Sequence, residues 1–155
     1  MGKAKSSAAV LPYRFSGGRL EVFLVHHGGP FWAKKDLGAW SLAKGEFQPP
    51  EDPLEAARRE FAEETGFEIH GRLIPLTPRK QPGGKTVHAW AVEGEFDPAA
   101  ARSNTFEMEW PPGSGALRTF PEIDRAAWFD LDEARRRLLP GQVPFLDELL
   151  ALTGS

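Results

Sequence analysis

The chain has 155 residues, a formal net charge of −3, 41% hydrophobic and 26% charged residues, and no cysteine. The missing cysteine excludes disulfide frameworks, thiolate metal sites and cysteine nucleophiles, and the charge gives no general attraction to nucleic acid. No apolar run approaches the roughly 20 residues of a membrane span, and Ala8–Leu11 is too short for a signal peptide. We expect a cytoplasmic protein with a flexible N-terminus over 1–5 and a single domain over 6–155.

Two strands and a long connection are predicted first. Ser7–Arg14 and Leu20–His26 have the apolar content of buried strands, and Gly17-Gly18 between them is typical of a turn. His27–Gly38 is a connection of the length that is often functional in compact domains. It carries Trp32, which could stack on a nucleotide base, although tryptophan is more often core material.

A well-delimited helix follows after residue 50. Asp52 suits the N-cap, Pro53 the first helical position, Glu55 the capping box and Gly66 the residue after the helix. One side of the helix carries an apolar stripe that would dock it against a core, namely Leu54, Ala57 and Phe61.

Three carboxylates lie on another face of this helix. Glu60, Glu63 and Glu64 have the offsets i, i+3 and i+4, which place them one helical turn apart. Like charges at these offsets repel unless a cation neutralises them, and a hard divalent ion with oxygen ligands, Mg²⁺ or Mn²⁺, is suited to this. The alternative is an ordinary solvated acidic face.

The rest of the chain interleaves strands with helices. Arg72–Leu76 and Thr86–Phe96 read as strands on either side of Pro82-Gly83-Gly84, and Asn104–Trp110 as a short strand. The final elements are a strand at Ala126–Phe129 and helices at Leu131–Leu138 and Pro144–Leu152. This order predicts an α/β fold with a mixed β-sheet between helices.

The residues around the carboxylates form a longer pattern. Gly45, Glu51, Arg59 and Gly66 stand at fixed spacings from them, and this pattern resembles the signature of the Nudix (MutT-like) hydrolases. The resemblance extends to two flanking segments, Trp40–Glu46, with Ala43 where many members have proline, and Ala126–Ala134. It implies an α/β/α sandwich and a metal-dependent hydrolase that cleaves a nucleoside diphosphate linked to another group.

The resemblance also implies roles for the matched residues. The three helix carboxylates would bind Mg²⁺, or Mn²⁺, together with the carbonyl oxygen of Gly45. Arg59 would pair with Glu51 and so fix the preceding loop against the helix. The partner would be a small-molecule nucleotide substrate, without membrane or nucleic acid, and the protein a monomer or a homodimer.

The general base and the substrate contacts are less defined. Glu107 and Glu109 share one face of a predicted strand and are candidates for the base, the alternative being a solvated strand face. A phosphate-binding cleft could use Lys44, beside the signature, and Arg79. The other basic residues of this set are Lys34, Lys35, Lys80 and Lys85, and scattered surface cations are the alternative for all of them.

The substrate is left open by conflicting indications. Pro82 lies where family members that hydrolyse ADP-ribose have a proline, but the sequence Pro-Gly-Gly also explains itself as a turn. The lead-in at 40–46 resembles polyphosphate-cleaving members, whereas the tyrosine of dinucleoside polyphosphate hydrolases is missing, because Tyr13 is the only tyrosine. A nucleotide-sensing Nudix module without turnover is the alternative function.

Overall fold

The structure is a computed structural model that describes residues 5–154. The predicted flexibility of residues 1–5 therefore falls almost entirely outside the described residues. The helices are α1 (Pro53–Thr65), α2 (Leu131–Arg137) and α3 (Val143–Thr153). The strands are β1 (Ser6–Ser16), β2 (Arg19–His27), β3 (Trp40–Ser41), β4 (Ala43–Phe47), β5 (Ile74–Pro75), β6 (Arg79–Lys80), β7 (Thr86–Glu93), β8 (Thr105–Glu109), β9 (Leu117–Pro121) and β10 (Ile123–Asp130).

The main sheet is mixed and has eight strands. Its central order is β10-β2-β1-β7-β5, and β3, β4 and β6 pair with β2, β1 and β7 respectively. β1 runs parallel to β7 and antiparallel to its other partners. It pairs with β4 through residues 6–10 and with β2 through residues 13–16, so β1 and β2 separate and the β3–β4 segment lies between them.

The helices cover both faces of this sheet, which confirms the predicted sandwich. Successive side chains of a strand point to opposite faces, and β1 follows this rule. Ala8 and Val10 pack with Phe61 of α1, whereas Ala9 and Leu11 pack with Phe145 of α3. No helix within residues 5–154 has the length and apolar composition needed to cross a membrane.

Helix α1 begins and ends where the sequence predicts. The Asp52 side chain accepts a hydrogen bond from the Glu55 backbone N–H at 3.2 Å, and Gly66 adopts the left-handed conformation at φ 79°. The buried residues of the helix are Ala56, Ala57, Phe61 and Thr65. Ala56 thus takes the buried place expected for Leu54, which is half-buried.

Several strands differ from the sequence prediction. Gly45 lies within β4 and pairs with Ala8, although a loop was expected there. β10 starts at Ile123, three residues before the predicted strand, and β6 and β9 were not predicted. Strands β8 and β9 form a separate two-stranded hairpin. The unpredicted strands contain polar residues whose side chains face a cleft or solvent. They therefore lack the hydrophobic pattern from which a strand is predicted.

Candidate active site

A cleft of about 410 Å³ lies between β4, α1 and the base of the β8–β9 hairpin. Its lining is strongly polar: Lys44, Gly45, Glu46, Glu60, Glu63, Glu64, Asn104 and Glu122. The three helix carboxylates therefore open into one concave space, as their spacing predicts, and Lys44 and Gly45 face them from β4. This arrangement favours a site over a merely solvated acidic face.

The Arg59 guanidinium orients the carboxylates from one side. Its Nε donates to Glu51 Oε2 at 2.8 Å and its Nη2 to Glu51 Oε1 at 2.9 Å. Its Nη1 donates to Glu60 Oε1 at 2.8 Å and contacts Glu63 Oε2 at 3.3 Å. The hydrogen bond from Arg59 lowers the pKa of Glu51, and the same contact raises the pKa of the guanidinium.

Glu64 is the most deeply placed of these acids. Burial raises the pKa of its carboxyl to about 8, and the nearby charge of Glu60 adds to this effect. One opposing contact is the Lys44 backbone N–H, which donates to Glu64 Oε2 at 3.1 Å. Burial also raises the pKa of Glu60, against the Arg59 hydrogen bond. The cleft therefore gathers carboxyl groups whose ionisation is opposed by burial and by one another.

The Glu60 side chain lies directly against the backbone of β4 at Gly45. A Cβ atom at this position would overlap the carboxylate of Glu60. Lys44 next to it is half-buried, and burial lowers the pKa of its ammonium, with the charge of Lys85 adding to this. β4 thus places the side-chain-free backbone of Gly45 and the cationic residue Lys44 beside the carboxylates.

The donor atoms of the cleft are of the kind that a hard divalent cation prefers. They are carboxylate oxygens, and the glycine leaves its backbone accessible beside them. Within residues 5–154, no three acidic or histidine side chains already stand in a metal-binding arrangement. Glu60 and Glu63 point to Arg59 instead. The residues present therefore fit Mg²⁺ or Mn²⁺ in chemical type, and binding would require their side chains to turn toward the ion.

Two further residues of the cleft were missed by the sequence analysis. Asn104 and Glu122 flank the hairpin and are joined by a backbone hydrogen bond from Glu122 N to Asn104 O at 2.8 Å. Asn104 N also donates to the Glu63 carbonyl at 2.9 Å, and Gly28 N to the Glu122 carbonyl at 2.9 Å. These hydrogen bonds hold Glu122 next to the C-terminal end of α1. No local sequence pattern indicates this proximity.

The structure does not bring Glu107 and Glu109 to the cleft. Both are exposed on β8, and Glu109 instead accepts a hydrogen bond from Gly113 N in the hairpin turn. They share one face of β8, as expected, and alternate with half-buried neighbours, but neither lines the cleft. The acid that the hairpin supplies to the cleft is Glu122.

Arg79 and Trp32 also lie outside the cleft lining. The Arg79 guanidinium pairs with Glu148 of α3 at 3.4 Å. The Trp32 ring packs against His27 at a centroid distance of 5.2 Å, and the Lys35 ammonium lies 5.1 Å from its centroid. Of the three residues predicted to contact substrate, the structure places only Lys44 beside the carboxylates.

A sequence model of the NUDIX domain matches residues 3–151. The chain belongs to the Nudix family. The RNA pyrophosphohydrolase of Rhodospirillum rubrum is 27% identical over 94% of this chain and 89% of its own length. The octanoyltransferase of Myxococcus xanthus is 32% identical over 101 residues, and this chain covers only 25% of the length of that protein.

Solved structures support the same Nudix fold. The Ap4A hydrolase of C. elegans aligns with a TM-score of 0.64 at 19% identity, covering 97% of this chain and 98% of that one. The NUDIX domain of Shewanella oneidensis NrtR, complexed with ADP ribose, aligns with a TM-score of 0.64 at 14% identity, over 100% and 91% of the two chains. Family membership and the relatives named RNA pyrophosphohydrolase support a pyrophosphohydrolase activity for this Nudix protein.

Proposed function

We propose that this Nudix protein is a metal-dependent hydrolase of the diphosphate bond in a nucleoside diphosphate linked to another group. The observation that carries the proposal is the gathering of Glu60, Glu63 and Glu64 in one cleft, against the bare backbone of Gly45. Burial raises the pKa of Glu60 and raises that of Glu64 to about 8, so a cation bound beside them would favour their charged forms.

Each residue of the cleft has a chemical task in this proposal. The three carboxylates and the Gly45 carbonyl would hold Mg²⁺ or Mn²⁺, and Arg59 would keep Glu51 and Glu60 in place. When bound, the ion would neutralise the diphosphate and favour ionisation of a water at the site. Lys44 would bind a phosphate oxygen, because it lines the cleft and its ammonium interacts with the charges of Glu64 and Glu60.

Glu122 is the residue that we propose as the general base. It is exposed, it lines the cleft opposite the helix, and its charge contributes to the raised pKa of Glu64, which indicates proximity. Its carboxylate would accept the proton of the water that attacks phosphorus. It replaces Glu107 and Glu109 in this role, since neither lines the cleft.

The group beyond the diphosphate is left open by the relatives. Their names describe enzymes that act on RNA ends or Ap4A, and one neighbour binds ADP ribose. All of these ligands contain a nucleotide joined through phosphates. The proposal therefore covers nucleoside triphosphates, dinucleoside polyphosphates and sugar nucleotides as one class.

A substrate panel tests the proposal. Nucleoside triphosphates, a dinucleoside polyphosphate and ADP-ribose are incubated with Mg²⁺, with Mn²⁺ or with EDTA, and phosphate and nucleoside monophosphate are measured. We expect turnover that EDTA abolishes and that Glu63→Gln reduces at least a hundredfold. The matched control is Glu55→Gln, an exposed acid on the same helix. Metal-dependent nucleotide binding without turnover would favour the sensor function instead.

A further inference from the structure

A second groove, of about 480 Å³, lies along β10 outside the carboxylate cleft. Its walls are largely apolar: Trp40, Pro98, Ala99, Ala126, Ala127 and Phe129. Asp124, Arg125 and Arg137 supply its charged groups. A volume of this size is within the range of pockets that bind small molecules, roughly 300–1,000 Å³.

Two of the three charged groups are already paired within the protein. Arg137 Nη1 donates to both carboxylate oxygens of Asp36 at 2.8 and 2.7 Å, and its Nε donates to Glu133. The Asp124 carboxylate is hydrogen-bonded to the buried His26 ring at 2.7 Å. These pairs leave little net charge from Arg137 or Asp124 for a ligand.

Arg125 is the exception. Its Nε lies 3.8 Å from Asp124 Oδ1, which is too far for a hydrogen bond, and no hydrogen bond of its side chain is found within residues 5–154. The side chain is 50% exposed, and its guanidinium lies 5.2 Å from the Trp40 ring centroid. The groove therefore combines an apolar floor with one available cation that can form a two-point contact with phosphate.

A small cavity of about 50 Å³ shares lining residues with both this groove and the cleft. Glu64 lines both this cavity and the cleft, and Pro98, Asp124, Arg125 and Ala126 line both this cavity and the groove. Arg125 thus lines both the small cavity and the groove, on the side of the groove that neighbours the cleft.

We propose that the groove binds a second nucleotide, so that the group beyond the scissile diphosphate is itself a nucleotide. Arg125 would contact its phosphate and the apolar floor its base. A free phosphate would leave the floor unused, and a neutral sugar would leave the cation unused. The proposal rests on the proposed function for the position of the diphosphate, but the groove can be tested without turnover.

The first test is binding in EDTA, measured by titration calorimetry. The probes are adenosine 5′-monophosphate, adenosine and inorganic phosphate. We expect the monophosphate to bind tightest and Arg125→Gln to weaken it about tenfold, while adenosine changes less than twofold. Arg72→Gln, another exposed arginine, is the control for lost charge. Equal affinities for phosphate and the monophosphate, or an unchanged affinity in Arg125→Gln, would overturn the proposal.

Blocking the floor gives an independent variant. Ala99→Trp places a bulky ring in the groove, and Ala100→Trp alters the adjacent exposed residue, which does not line it. We expect only Ala99→Trp to abolish binding of the monophosphate. Loss of binding in neither variant would contradict a site on this floor.

The second test compares substrates. For a dinucleoside polyphosphate or a 5′-triphosphorylated dinucleotide, Arg125→Gln should raise KM about tenfold and leave kcat unchanged. For ATP, KM should change less than twofold. The substrate whose KM rises shows whether the second nucleotide comes from a dinucleoside polyphosphate or from a 5′-triphosphorylated RNA-like chain. Equal changes in KM for all three substrates would contradict the proposal. An inactive wild-type protein would refute the proposed function, whereas the binding test would still decide the groove.

Discussion

The guanidinium of Arg59 donates hydrogen bonds to both carboxylate oxygens of Glu51, at 2.8 and 2.9 Å. Because Glu51 precedes α1 and Arg59 lies within it, this two-point contact fixes the approach to the helix. The remaining nitrogen of the same group reaches Glu60 at 2.8 Å. One cation thereby orients a residue of the loop and a carboxylate of the cleft together.

Removing this contact should reduce activity more than stability. We expect Glu51→Gln and Arg59→Lys each to lower kcat/KM by about 10–100-fold, the usual range when a partner that orients metal ligands is lost. The melting temperature should change little, because Glu51 is only half-buried. Kinetics and thermal unfolding of both variants check this, with Glu55→Gln as control. A melting temperature that falls along with the activity would instead indicate a structural role.

Gly45→Ala should abolish activity because the added Cβ overlaps the Glu60 carboxylate. Either β4 moves away from α1 or Glu60 leaves its position, and both changes disrupt the cleft. We expect a loss in kcat of more than a hundredfold, measured alongside circular dichroism to verify folding. Gly94→Ala is the matched control, since its Cβ would meet only the Phe96 ring at 3.4 Å. Activity within threefold of wild type in Gly45→Ala would refute the close approach.

Glu122→Gln should separate the proposed base from the acids of β8. General base catalysis contributes typically about 10²–10⁴-fold, so we expect a loss of that size in kcat. Glu107→Gln and Glu109→Gln should lose less than tenfold, because neither residue lines the cleft. Steady-state kinetics over a range of pH checks all three. A larger loss in either β8 variant than in Glu122→Gln would reverse the assignment.

The raised pKa of Glu64 predicts how stability depends on pH without metal. Folding raises the pKa of this carboxyl from 4.5 to about 8. The protonated form is favoured in the folded chain, so its stabilising contribution is complete below pH 4.5 and is lost as the pH rises through 8. In EDTA, the free energy of unfolding of wild type should decline over this interval relative to Glu64→Gln.

Urea unfolding at several pH values measures this difference. Each pKa unit between the folded and unfolded chain corresponds to about 1.4 kcal/mol, so the decline should be readily detectable. Glu55→Gln should retain the wild-type decline, since that acid is exposed. Parallel curves for wild type and Glu64→Gln would show that Glu64 does not titrate in this interval.

Phe61 joins the carboxylate helix to the core. Its side chain is fully buried and meets the Phe96 ring at a centroid distance of 5.3 Å. Phe61→Ala should lower the free energy of unfolding by about 3–5 kcal/mol, the usual cost of truncating a buried phenylalanine. Phe15→Ala, at a ring that is 45% exposed, should cost far less when both are measured by urea unfolding.

The parts that the sequence predicts well are those fixed by local signals. The caps at Asp52 and Gly66 act within one turn of the helix, and the offsets of Glu60, Glu63 and Glu64 follow from helical geometry alone. By contrast, β4 forms because a distant strand, β1, supplies its hydrogen bonds, and β9 forms because it pairs with β8 across the hairpin turn. Their own sequences have little apolar periodicity, so the hydrophobic pattern does not predict them as strands.

The same reason explains why the sequence points to Glu107 and Glu109 and not to Glu122 as candidates for the base. The alternation along β8 correctly predicts that Glu107 and Glu109 share a face. Which way that face points depends on how the hairpin is fastened at Asn104 and Glu122, and this is a long-range property. The position of Glu122 in the cleft follows from backbone contacts with residues far away in sequence, which no spacing rule contains.

The hairpin is hydrogen-bonded to the rest of the chain at its base, and residues 111–116 of its turn are exposed. Asn104 and Glu122 bond it to the main body, whereas a Cβ added at Gly113 or Gly115 meets nothing within 4 Å. The length of the hairpin turn can therefore change without altering the cleft residues at the base of the hairpin. A peptide epitope or a fluorescent reporter could be grafted between these two glycines with the cleft intact.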